Sequence, residues 1–391
     1  MGKNYRMIAK TLYGFEALLE KELRDLGASS IEKGVRHVSF MGDTGFMYKA
    51  NLCCRTAIKI LKPIHTFNVF KEQDLYQKIY DCPWEEHMSF DGSLAIDATI
   101  FSDYFTHSQY VALKTKDAIV DRFRDQFGER PDVDLQRPDL RINIHIDRNI
   151  CTVSLDSSGE SLHKRGYKSE VTLAPINEVL AAGLILSSGW HGQCDFLDPM
   201  CGSGTIVTEA AMIAANIPPN LNRDRFGFET WNDFDADLFE TIEAAALSRI
   251  REVTHKIYGS DKDPSAIEKS KINAAGANLQ EFIAFETQDF FTSQKKGSDY
   301  LHIVFNPPYD ERLTLDDVTK FYGDIGTTLK HSYSGAQAWL ITSNMEALKS
   351  VGLRPSQKIK VFNGKLESRF VKYEMYQGSK KQKKDDQETS A

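Results

Sequence analysis

At 391 residues, 41% of them hydrophobic and 26% charged, the chain is long enough for two or three domains with real cores and has the composition of an ordinary globular protein. The N-terminus has no apolar core of signal-peptide length, and no later stretch approaches the roughly 18 uninterrupted apolar residues of a membrane span. A membrane-spanning helix is therefore excluded and a cytoplasmic location expected. The net charge of −7 argues against indiscriminate nucleic-acid binding. The acidic excess is uneven: residues 1–168 hold 24 Lys and Arg against 24 Asp and Glu, whereas residues 169–391 hold 24 against 31. Six cysteines, with no Cys-x-x-Cys pair and no nearby His at zinc-ligand spacing, predict reduced buried thiols and no metal.

In chain order, residues 5–12 read as a strand and 15–23 as an amphipathic helix with apolar residues at helical spacing. A second strand is expected over 31–40 and a helix over 45–61, which makes residues 1–65 a small α+β unit. A strand over 94–100 then leads to a long helix over 108–127. That helix sets Lys114, Lys116, Arg122 and Arg124 among apolar Val111, Ala112, Leu113, Ile119, Val120 and Phe123. After the turn-rich 128–139 come strands over 140–146 and 151–155, joined at Asp147-Arg148-Asn149 by a tight hairpin. The stretch 157–168, with Lys164 and Arg165, leads toward the second half.

Ser108-Gln109-Tyr110, the run from Leu113 to Asp121, Arg130-Pro131-Asp132-Val133-Asp134 and the 159–166 run together resemble a THUMP domain over 66–168. The unit before it resembles the ferredoxin-like unit that usually accompanies such a domain. The resemblance implies an RNA partner, with Lys114, Lys116, Arg122, Arg124, Lys164 and Arg165 as candidate RNA-binding residues. By itself, a Lys-rich helix is more often a solvated basic face.

In the second half, 174–186 reads as a helix with Pro175 in its first turn, where a missing amide costs nothing. Next comes Asp195-Phe196-Leu197-Asp198-Pro199-Met200-Cys201-Gly202-Ser203-Gly204-Thr205, followed by a helix-like run. A buried strand, a turn too tight for side chains and a helix whose first amides point back over the strand end would read like this, the arrangement that holds a nucleotide-like cofactor. The Gly-x-Gly-x-x-Gly of dinucleotide folds is absent. Residues 216–256 are an insertion with a helix over 238–253; its arginines and aromatics could face a partner or pack over the cleft.

Three further strand ends follow. Ile257 to Pro264 ends in Asp261-Lys262, where Asp261 is a candidate for the carboxylate that accepts from ribose hydroxyls. It comes 57 positions after Gly204 because the insertion intervenes. A helix over 266–274 leads to the strand that runs into Asp289-Phe290. The last is Leu301-His302-Ile303-Val304-Phe305-Asn306-Pro307-Pro308-Tyr309, an apolar run of a fully buried parallel strand stopped by two prolines. A strand over 337–342 and a terminal hairpin turning at Asn363-Gly364 complete the pattern. From 378 the chain reads as a disordered polar tail.

The run from Asp198 to Thr205 resembles motif I of the class I S-adenosylmethionine methyltransferases, with Met200 at the first glycine position, and Asn-Pro-Pro-Tyr resembles motif IV of those that modify exocyclic amino groups of bases. The resemblance, spanning nearly the whole chain, is to the THUMP-containing RNA guanine-N2 methyltransferases. It implies a Rossmann-like α/β sheet with a terminal antiparallel hairpin over 169–377 and S-adenosyl-L-methionine as cofactor. Asp198, Pro199, Met200, Cys201, Gly202, Ser203, Gly204, Thr205, Asp261, Lys262, Asp289, Phe290 and Asn306 would line the cofactor, with Asp289 accepting from the adenine amino group and Phe290 beside its ring. Asn306, Pro307, Pro308 and Tyr309 would form the catalytic end. Acceptors at Asn306 and the Pro307 carbonyl would draw an amino lone pair out of conjugation, and Tyr309 would stack on a flipped base. Ribosomal RNA of the large subunit is favoured over transfer RNA, and a non-catalytic RNA-binding assembly factor is the rival of another class. The family's usual Gly-Glu-Arg after this motif is Asp310-Glu311-Arg312 here, and a second methyltransferase domain for another base is not expected.

Overall fold

A computed structural model describes residues 3–171, 176–296, 300–308 and 315–376. The chain opens with β1 (Tyr5–Thr11), α1 (Glu16–Leu26), β2 (Ser29–Lys33), β3 (His37–Gly42), α2 (Thr44–Cys53) and β4 (Ala57–Asn68). Two expectations change here. The single strand expected over 31–40 is split by a turn: Arg36 adopts a left-handed φ of 59° and the Gly34 amide donates to the His37 carbonyl at 2.9 Å. The helix expected to reach residue 61 stops at Cys53, because the run after it pairs with β1, Ile60 opposite Ala9 and Leu61 opposite Ile8. Tertiary pairing overrides a helical reading of that apolar stretch.

Next come α3 (Glu72–Tyr80), β5 (Ser93–Phe101), α4 (Ser108–Phe127), β6 (Asp132–Val133), β7 (Leu140–Asp147) and β8 (Ile150–Asp156). Helix α4 has the bounds expected of it, ended by Gly128 in the left-handed region at φ 75°. The strands form one sheet in the order β2-β3-β1-β4-β8-β7-β5-β6. Strand β4 pairs with β1 along its first half and β8 along its second, so a single 12-residue strand stitches the two N-terminal regions together.

The remaining elements are α5 (Glu178–Ser187), β9 (Asp195–Asp198), α6 (Thr205–Ala214), α7 (Ala236–Leu247), β10 (Ile257–Asp261), α8 (Pro264–Gly276), β11 (Ile283–Thr287), β12 (Leu301–Phe305), α9 (Leu315–Ser332), β13 (Gln337–Thr342), α10 (Ala347–Ser350), β14 (Gln357–Asn363) and β15 (Leu366–Glu374). Helix α5 begins later than expected, capped by Asn177, whose side chain accepts from the Leu180 amide; Pro175 lies outside the described residues. The sheet order is β11-β10-β9-β12-β13-β15-β14. Strands β9 to β13 are parallel and β15 runs antiparallel to both of its neighbours. The order reverses between β9 and β12, and the carboxyl ends of strands at such a switch point are where open α/β sheets bind ligands.

Two compact units result: Met1–Lys164 with Arg223–Ser248, and Arg165–Asn222 with Arg249–Ala391. The insertion thus divides differently from the expected boundaries, since its middle belongs to the first unit. Tyr48 explains why: its ring stacks on Phe228 at 4.4 Å and meets Phe234 and Phe239 edge-on at 5.8 and 5.7 Å. Arg223 donates to the carbonyls of Ser158, Glu160, Ser161 and Lys164, and Arg225 to those of Arg137 and Pro138. Phe228, Phe234, Phe239, Arg223 and Arg225 of the insertion are thus engaged within this unit, whereas Arg251 donates to the Ala214 carbonyl of the second. Among the described residues no helix is long and apolar enough to cross a membrane, and no group of three or more His, Cys, Asp or Glu is arranged to hold a metal ion.

Candidate active site

The glycine turn after β9 is built from backbone geometry that side chains would obstruct. Gly202 and Gly204 have φ of 54° and 79°, in the left-handed region where a Cβ is unfavourable. A Cβ on Gly204 would also lie 3.0 Å from the Ser270 Cβ, so helix α8 would have to give way to admit it. Met200, at the position where motif I usually has glycine, is not among the positive-φ residues, and its side chain packs against the core under β12. The missing glycine is therefore no loss to the turn.

The turn is held from α8 by residues that carry no sequence signal of their own. Ser270 Oγ donates to the Gly202 carbonyl at 2.7 Å, and Asn273 Nδ2 donates to the Ser203 carbonyl at 2.9 Å. Asn273 Oδ1 also accepts from the amides of Ser169 and Glu170, tying the entry segment to the same turn. Cys201 is buried with its Sγ 3.7 Å from Ser270 Oγ, and burial pushes its thiol well above the usual range. Ser203 and Thr205 are buried as well.

Carboxylates stand at the ends of β9 and β10 and just beyond the end of the adjacent β11. Asp198 is 1% exposed; it accepts from the Met200 amide at 3.1 Å. Burial holds its carboxyl well above the ordinary carboxylate pKa, with the Met200 amide opposing and Asp261 adding to the shift. Asp261 accepts from the Gly202 amide through Oδ2 and from the Asp263 amide through Oδ1, both at 3.0 Å. An ionised carboxylate has about four lone-pair sites, so two remain for a ligand. Asp289 accepts from the Phe291 amide at 2.9 Å and caps the short helical turn that follows β11. Lys262, beside Asp261, is exposed.

Asn306 stands one residue beyond β12, the strand next to β9. Its Oδ1 is buried and has no hydrogen-bond partner among the described residues. Such a group costs about 1–3 kcal/mol and calls for an explanation. Pro307 is buried, Pro308 exposed, and Tyr309 lies outside the described residues, as do 310–312. A cavity of about 410 Å³ is lined by Tyr258, Ser260, Glu286, Gln288, Lys296 and Tyr333 among others, and not by Asp198, Asp261 or Asp289.

Two sequence-based assignments need correction. Phe290 is core: it is 2% exposed, its ring 5.6–5.8 Å from those of Phe291, Phe305 and Tyr333, so it packs beneath the sheet and is not a ring free to lie beside a ligand. Among the candidate RNA-binding cations, Arg165 is 1% exposed, with Nε 3.4 Å from Glu209 Oε1 and Nη1 donating to Asn220 Oδ1 at 3.1 Å. It is part of the second unit's interior and no phosphate ligand. Arg122 is likewise engaged, in a bidentate pair with Glu85 and a bond to the Tyr80 carbonyl. The others are nearer the surface: Lys114 lies over the Tyr76 ring, and Lys116, Arg124 and Lys164 pair with Asp117, Asp121 and Glu160.

Comparison with known proteins agrees with this geometry. Residues 165–372 match the family described as RMKL-like, methyltransferase domain. The chain belongs to this methyltransferase family. In this member of the RMKL-like family, residues 70–156 match a THUMP domain and 6–61 the RlmL ferredoxin-like domain. It is 40% identical over 374 residues to "Ribosomal RNA large subunit methyltransferase K/L" of Syntrophotalea carbinolica, covering 93% of this chain and 52% of that protein. It is 36% identical to "Putative RNA methyltransferase slr0064" of Synechocystis, covering 93% of this chain and 95% of that one. The chain thus spans about half the length of the K/L relative and nearly all of the Synechocystis one. Among solved structures, "SMU.472, a putative methyltransferase complexed with SAH" superposes with a TM-score of 0.84 at 28% identity, over 97% of this chain and 100% of the other.

Proposed function

We propose that this chain is an S-adenosylmethionine-dependent RNA methyltransferase that acts on the exocyclic N2 of guanine, with large-subunit ribosomal RNA as substrate and a cytoplasmic place of work. The observation that carries the reaction type is the buried Oδ1 of Asn306, an acceptor without a partner at the switch point of a methyltransferase sheet. The ribosomal assignment rests on the K/L relatives, and the RNA assignment on those relatives together with the THUMP match.

The residues present fit the cofactor chemically. A sulfonium with an α-ammonium group is cationic, and Asp261 and Asp289 stand at or just beyond the strand ends beside the glycine turn. Asp261, with two acceptor sites beyond its bonds to Gly202 and Asp263, would take the ribose hydroxyls; Asp289 would take the adenine amino group. When bound, the cofactor supplies the electrophilic methyl. The protein's part is to make a poor nucleophile competent. Asn306 Oδ1 and the Pro307 carbonyl accept the two hydrogens of the base amino group and hold its lone pair out of ring conjugation, stabilising the positive charge that develops on nitrogen. Tyr309 stacks on the base once it has left the helix.

Nucleoside mass spectrometry of ribosomal and transfer RNA treated with the pure protein and labelled cofactor tests the reading. Label in N2-methylguanosine of large-subunit RNA is expected. Label in N6-methyladenosine would refute the base, label confined to transfer RNA the substrate, and no label the activity.

A further inference from the structure

The end of the eight-stranded sheet where β5 and β7 finish carries aromatic rings that the core does not absorb. Phe101, Tyr104, Phe70 and Tyr110 are 65%, 56%, 52% and 41% exposed. One exposed ring is ordinary; here three loops are tied together so that four share one end of the first unit. The Arg148 amide donates to the Phe101 carbonyl at 2.7 Å, and the Val69 amide to the Asn149 carbonyl at 2.8 Å. Ser102 Oγ bonds the Arg148 carbonyl and accepts from the Tyr104 amide. The Phe70 and Tyr104 rings meet edge-on at 5.5 Å, and Phe101 meets His145 at 5.9 Å. An open cavity of about 660 Å³ beside them is lined by Tyr104, His107, Tyr110 and Leu113 among others.

Cations are interleaved with the rings. Arg148 sits exposed at the tip of the β7–β8 hairpin, and its side chain has no partner among the described residues. The Lys71 side chain is 73% exposed, its nearest carboxylate being Asp74 at 3.9 Å. Asp103 and Asp147 are the exposed opposing charges, and Glu72 is engaged by the Tyr110 hydroxyl at 2.6 Å. We propose that this end of the first unit is a stacking platform for single-stranded RNA, with bases on Phe101 and Tyr104 and phosphates at Arg148 and Lys71. It rests on the RNA methyltransferase reading for the kind of polymer. A duplex hides its base faces, so rings have nothing to stack on; a strand offers every one. An enzyme that reacts at a base amino group also needs that base out of its stack. A protein partner would favour a continuous apolar patch over rings separated by cations.

The test is anisotropy of fluorescent 12-nucleotide oligouridine and oligoadenosine strands, and of a 12-base-pair RNA duplex, with the full chain. Phe101→Ala and Tyr104→Ala should each lower strand affinity by about 5- to 100-fold, while Phe101→Tyr and Tyr104→Phe keep it. Arg148→Ala should make the slope of log affinity against log salt shallower by about 0.7. Unchanged melting temperatures establish that the variants fold. Alanine variants of normal melting temperature that bind strands as the wild type does overturn the platform, as does a wild type that prefers the duplex. Strand binding that depends on the rings, in a protein that never transfers label, would sustain the platform and defeat the methyltransferase reading; label transfer with ring-independent binding would do the reverse.

Discussion

Asn306 keeps its side-chain oxygen buried without a partner among the described residues, which is how a site looks when a group waits for something to bind. Replacing Asn306 by Ala removes an unsatisfied acceptor, so the melting temperature should hold or rise. Turnover should nevertheless fall by about 10² to 10³, the order seen when one transition-state hydrogen-bonding group is lost. Single-turnover kinetics beside cofactor calorimetry would check this; equal losses in turnover and cofactor affinity would assign Asn306 to binding alone. Asp261→Ala should act in the opposite column, weakening cofactor binding by about 1.5–3 kcal/mol through lost charge-assisted bonds. It also releases the Gly202 amide, so part of that loss would come from a loosened turn. Calorimetry finding wild-type affinity would remove the ribose role.

At the scale of elements, strand β12 makes stability pH-dependent. His302, the second residue of this buried run, is bonded to Ser188 Oγ at 2.8 Å, and burial, aided by Lys372, pushes its pKa down to about 3. The unfolded imidazole titrates near its ordinary value of about 6.5. Below that pH the unfolded chain takes up a proton that the native chain refuses, so stability is lost as pH falls, by up to about 1.4 kcal/mol per unit, until roughly pH 3. Chemical denaturation between pH 7 and 5 should show this slope in the wild type and a shallower one in His302→Gln. Much of this unit was legible in the sequence, because strands β9, β10 and β12 are short apolar runs ended by Asp or by Asn-Pro-Pro. What the sequence hid lies in pairings between distant residues. Ser270 and Asn273 look like ordinary surface-helix polar residues until the turn they hold is beside them. Arg165 looks like a basic residue beside Lys164 until Glu209, 44 positions on, takes it inside. The strand run after Cys53 reads as helix because only its partner β1 makes it a strand.

For the whole molecule, the division into units changes what a truncation can show. A chain beginning near Arg165 would carry residues 223–248 without Tyr48, leaving the rings of Phe228, Phe234 and Phe239 without the one they surround. It should aggregate, whereas the same chain with 223–248 replaced by a short Gly/Ser linker should stay monomeric and bind cofactor. Light scattering distinguishes the two; equal behaviour would mean that the uncovered rings do not drive association.

The interrupted first unit also sets a clock on biosynthesis. Its first stretch ends at Lys164, but its closing aromatic segment is complete only at Ser248, and the start of the second unit is made in between. At about 5–20 residues per second the wait is roughly 4 to 17 s. Throughout it Tyr48 and its neighbours lack their cover while α5, β9 and α6 are already emerging. The newborn chain therefore has an interval in which neither unit can finish, and in which a chaperone that shields apolar surface would be needed most. Nascent chains halted before residue 248 emerges should be cut readily by protease within residues 1–164, and those halted after it should resist.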